Sequence, residues 1–91
     1  MKETLRTLIQ SLPSGCVFDS HFVIDTLILR HSDAYLLHAA DSLGNQNTAQ
    51  FHGKIAQMVG QQTDLVQLQD ATSYSYTIHG EPGPCALWRR V

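Results

Sequence analysis

Charge is the first thing this chain is short of. Of its 91 residues only 15% are Asp, Glu, Lys or Arg, and eight acidic against six basic side chains leave a net charge of −2 with the histidines neutral. A dedicated nucleic-acid binder usually carries a strongly basic face, so such a role here would rest on local clustering and not on total charge. Cysteine is scarce as well. Cys16 and Cys85 are the only two, far too few for a disulfide-stapled scaffold, and they are not spaced like half a zinc site. No apolar run approaches the length of roughly eighteen residues that marks a membrane span. The opening MKETLRTLIQSLP sets charges inside its apolar pattern, unlike a secretory signal peptide. The expectation is a soluble cytoplasmic protein in a reducing compartment, with no membrane partner.

What is present suits a single domain over residues 1–91. The 43% apolar content is too high for a disordered chain, and a chain of this length can fold on one core without staples. Leu5, Leu8, Ile9 and Leu12 fall at i, i+3, i+4, i+7, an amphipathic helix closed by Pro13 and Gly15. Cys16-Val17-Phe18 fits a brief strand. Asp19 or Ser20 then caps a second helix, HFVIDTLILRH, whose wide apolar arc includes Phe22 and predicts the most buried helix. Ser32-Asp33 starts a third, ending at Gly44. Asn47 caps a fourth, with Phe51, Ile55, Met58 and Val59 facing inward.

From Thr63 the period changes to two. DLVQLQD and TSYSYTIHG alternate, as half-buried strands do. Pro82-Gly83 suits the centre of a type II turn, and CALWRRV reads as a returning strand. The tail is therefore a β-hairpin, with Thr72–His79 set against Cys85–Arg90.

Four helical segments, a short early strand and a terminal hairpin form an α+β order that resembles the winged helix-turn-helix. FDSHFVIDTLI and ALWRRV resemble stretches of small bacterial proteins with that architecture. The resemblance implies that the early strand joins the hairpin in one sheet. In members that bind DNA, the helix before the hairpin enters the major groove. Here two helical segments, about 20–31 and 33–43, precede that helix where many winged helices have one.

Two functional readings follow. In the first, Gln50, Lys54, Gln57 and Gln61 on the outer face of the fourth helix, with Arg89 and Arg90, contact double-stranded DNA. Glutamine can pair with adenine, and lysine with guanine or phosphate. The segment 47–63 holds one cation, Lys54, and the hairpin tip holds Glu81. Non-specific affinity comes from cations meeting phosphates, so charge favours the second reading. In it, Tyr74, Tyr76 and Ile78 form an apolar strip on the hairpin for a protein partner or a homodimer.

Catalysis is not expected. FDSH, Phe18 to His21, sets Asp, Ser and His in a row, but neighbours at a helix start point apart and a triad must converge. The histidines at 21, 31, 38, 52 and 79 show no metal-ligand spacing and read as surface or capping residues. Cys16 and Cys85 read as small apolar packers, and Trp88 as the anchor of the hairpin. No metal or cofactor is implied.

Overall fold

Leu5, Leu8 and Ile9 of the first helix, α1 (Lys2–Gln10), are all buried in the hydrophobic core, each burial worth about 1.5–3 kcal/mol. A computed structural model describes residues 1–41 and 47–91 of the chain. After α1 come β1 (Val17–Asp19), α2 (Ser20–Arg30), α3 (Ser32–Asp41), α4 (Thr48–Gly60), β2 (Val66–Tyr76) and β3 (Pro82–Arg90). This is the α+β layout that the order of sequence patterns predicts. The expected end of the third helix at Gly44 lies outside the described residues.

The three strands form one antiparallel sheet in the order β1-β3-β2. β1 adds to the hairpin through Val17↔Arg89, Phe18↔Trp88 and Asp19↔Leu87. One core joins α1, α2, α4 and the sheet: Leu5, Ile9, Val23, Leu27, Ile55 and Val59 are its fully buried side chains. Among the described residues no helix is long and apolar enough to cross a membrane.

Local chemistry sets the helix starts. Asp19 caps α2, its Oδ1 accepting from the Phe22 N–H at 2.7 Å. This satisfies one of the donors that a helix start leaves without an internal partner. Asn47 opens α4 with a reciprocal box. Its Oδ1 accepts from the Gln50 N–H at 2.9 Å, and the Gln50 Oε1 accepts from the Asn47 N–H at 3.1 Å.

Ser20 has a different task. It is buried, and its hydroxyl accepts the Trp88 indole N–H at 3.1 Å. That bond fixes the one tryptophan between helices and sheet. The Trp88 ring lies so close to α4 that its Cη2 is 2.9 Å from where a Cβ on Gly60 would sit.

Three expectations need correction. The hairpin is longer and differently registered than alternation suggests: β2 begins at Val66, and Tyr76 pairs with Pro82. Two shifts in register, between Leu68 and Asp70 and between Asp70 and Ser73, take up extra residues of β2. Such bulges hide the continuity of a strand from a simple two-residue period. The turn is also not at Pro82-Gly83. It spans 77–81, with the Thr77 N–H bonded to the Glu81 carbonyl at 2.8 Å and Gly80 at φ +77°, a conformation glycine adopts without strain. Pro82 opens β3 instead, where a missing N–H is tolerated. Finally, Phe22 is exposed. It meets Phe18 edge-on at 6.4 Å between ring centroids, so the buried arc of α2 is narrower than its composition implies.

Candidate functional site

The polar face of α4 is where the sequence places a DNA-reading surface. Gln50, Lys54, Gln57 and Gln61 are all exposed. Gln50, however, spends its side-chain oxygen on the capping box, and Gln61 lies just past the helix as its C-cap. The arginines are drawn into internal bonds. Arg89 Nε donates to Gln69 Oε1 at 3.3 Å. Arg90 Nε donates to the Ile9 carbonyl at 3.1 Å, and its guanidinium also meets the Val91 carbonyl. Arg90 thus serves the open carbonyl end of α1, where a cation is favourable. Arg6 forms a forked pair with Asp64 at 2.7 and 3.0 Å. The hydrogen bond from Arg6 holds the Asp64 carboxyl below its usual range. An exposed pair of this kind adds little stability.

The hairpin tyrosines behave differently. Ser75 faces α2 through its contact with His21. Neighbours on a strand point to opposite faces, so Tyr74 and Tyr76 turn away from the helices and stand 71% and 68% exposed. Ile78 does not continue their strip. It lies past the end of β2 and lines a cavity under the turn. β2 is an edge strand, and ten of its eleven residues are not buried. A second apolar surface lies on α3, which has no buried residue. Tyr35 and His38 of that helix pack on Phe51, with ring centroids 5.4 and 5.6 Å away. By helical spacing Leu36 and Leu37 then look outward, 63% and 69% exposed.

The cavity is the feature that sequence reasoning missed. About 270 Å³ lies between the start of α2, one face of α4 and the hairpin turn. His21, His52 and His79 all line it, together with Cys85. His79 is exposed, as a surface reading expects, whereas His21 and His52 are half-buried. His21 Nδ1 meets Ser75 Oγ, which also lies 3.7 Å from Cys85 Sγ. His52 Nε2 bonds the Tyr35 hydroxyl at 2.8 Å, and His79 Nε2 lies 3.4 Å from Thr48 Oγ1. Burial pushes the His52 imidazole below its ordinary value of 6.5. His79 and His21 push the same way, and Asp25 opposes them. A signal for the cavity was present in α4: Ala49, Gly53 and Ala56 put small residues at i, i+4, i+7, and all three line it.

The contact between Ser75 and His21 pairs a hydroxyl with a base, yet no carboxylate among the described residues bonds His21 to orient it, as a triad requires. Among the described residues no group of three or more His, Cys, Asp or Glu side chains is arranged to hold a metal ion. Both cysteines are free. Comparison with protein-family models, curated proteins and solved structures finds no match to this chain.

Proposed function

We propose that this chain is a non-catalytic interaction domain that self-associates through the edge of β2 and its two outward tyrosines. The observation that carries this reading is the exposure of Tyr74 and Tyr76 on an edge strand. An edge strand presents unpaired backbone N–H and C=O groups, and proteins usually blunt such edges with lysine, proline or bulges. Here the bulges lie before Ser73, while Ser73–Tyr76 pairs regularly with Pro82–Cys85. The strand carries no Lys or Pro and only one charge, Asp70. A second copy set antiparallel against Ser73–Tyr76 meets no like charge there, and the tyrosines supply large apolar contact at low entropic cost.

The internal bonds of Arg6, Arg89 and Arg90 favour this reading over a regulator that reads double-stranded DNA with α4. Two free cysteines fit a reducing cytoplasm.

Sedimentation velocity over a wide concentration range tests the proposal. The expected mass rises from 10.1 kDa towards twice that value, and Tyr74→Lys with Tyr76→Lys holds it at the monomer. A wild-type chain that stays monomeric throughout sinks the idea, as does a double variant that still associates. Steeply salt-dependent binding of a mixed-sequence duplex would replace it with the DNA reading.

A further inference from the structure

We infer that the cavity under the hairpin turn binds a small carboxylate with an apolar or aromatic body, about the size of benzoate. Three observations converge on that ligand class. The first is size and lining. A cavity of roughly 150 Å³ walled by apolar side chains can hold a benzene ring, and this one offers about 270 Å³, walled in part by Ile24, Ile78 and Pro84. Small-molecule sites are typically apolar with a few polar groups that fix orientation.

The second is the set of polar groups. His21, His52 and His79 each spend one ring nitrogen on a neighbouring side chain: Ser75, Tyr35 and Thr48 respectively. The second nitrogen of each ring has no partner among the described residues. Neutral imidazole can donate through that nitrogen, and imidazolium donates through both.

The third is charge. Among the described residues no Asp, Glu, Lys or Arg lines the cavity, so the imidazoles decide its sign. The first turn of α4 reaches it at Ala49 and is capped by the uncharged Asn47, which leaves the positive end of that helix dipole available to an anion. The carboxylate of Asp25 in α2 opposes the other influences on His52.

Without a ligand, protonating His52 is disfavoured by burial and by its neighbouring histidines. A bound carboxylate reverses that balance, so ligand and proton enter together. By linkage the ligand binds more tightly as pH falls below 6.5 towards the lowered value of His52.

Benzoate is the probe, with benzyl alcohol as its uncharged counterpart. Calorimetry in two buffers of different ionisation enthalpy reads proton uptake, and NMR reads the imidazole carbon-bound protons of His21, His52 and His79. The expected result is binding about tenfold tighter at about pH 5.5 than at about pH 8, with proton uptake and shifts at all three rings. Benzyl alcohol should bind weakly and without pH dependence.

Two variants locate the site. Gly53→Leu fills the cavity mouth, starting from a Cβ position with open space around it. It should abolish binding. His79→Gln, at an exposed position, should weaken benzoate severalfold. The proposal is overturned if benzoate fails to bind in the millimolar range at either pH. It is overturned equally if benzyl alcohol matches benzoate, or if both variants bind like the wild type.

Discussion

Replacing Gly60 with alanine and, separately, Gly53 with alanine should move the stability of this protein in opposite directions, although both glycines lie in α4. In a helix alanine is favoured over glycine by about 0.5–1 kcal/mol, because glycine loses more backbone freedom on folding. At Gly53 an added Cβ meets no atom of the described residues within 4 Å, so that gain stands unopposed. At Gly60 the same Cβ would lie 2.9 Å from Trp88 Cη2 and 3.6 and 3.7 Å from Cζ3 and Cζ2. The ring cannot easily swing aside. It is buried, and its Nε1 is tied to Ser20. Overpacking of this kind costs about 1–3 kcal/mol, which outweighs the propensity gain and leaves a net loss of about 1–2 kcal/mol.

For a domain of this size 1 kcal/mol corresponds to roughly 4–8 °C in Tm. Gly53→Ala should therefore raise Tm by a few degrees and Gly60→Ala should lower it by more. Urea denaturation followed by far-UV circular dichroism gives the free energies, and Trp88 fluorescence reports the local repacking. If Gly60→Ala raises the midpoint as much as Gly53→Ala does, the ring does not rest on α4 and the account of the core is wrong.

Other perturbations have equally definite signs. Ser20→Ala strands the buried Trp88 N–H and should cost about 1–3 kcal/mol in urea denaturation. Asn47→Ala removes the capping box of α4 and should cost about 1 kcal/mol by the same assay. The pH dependence follows from His52, whose pKa lies below 6.5 in the fold, chiefly through burial. Between that lowered value and 6.5 the unfolded chain binds more protons, so stability rises with pH across the window and is lost as pH falls through it. The contribution of Asp64, whose pKa lies below 3.8, is lost only at still lower pH. A decline in Tm as pH falls below 6.5 that His52→Gln abolishes would identify the imidazole, and a decline unchanged in that variant would exclude it.

Much of this fold was legible without coordinates because its signals are local. Leu5, Leu8 and Ile9 declare a helix face by spacing alone. Asp19 and Asn47 mark helix starts, because a capping side chain needs only its own first turn. The switch from a helical to a two-residue period after Thr63 announces the hairpin, and alternation sets Tyr74 and Tyr76 on one face of it. By itself the sequence determined the element order, the antiparallel tail and most of the core.

What it left undecided depends on contacts between residues far apart in the chain. The register of β2 required two bulges that shift alternation. The pairing of Arg90 with the end of α1 joins residues 81 positions apart, and it takes that cation from the surface where the sequence would spend it. The cavity is the clearest case. His21, His52 and His79 lie in three separate segments with no motif spacing, and only the packing of α2, α4 and the hairpin turn brings them around one space. The local rules of helix and strand reach three or four residues along a chain, whereas a site assembled from distant segments exists only once the tertiary fold has closed.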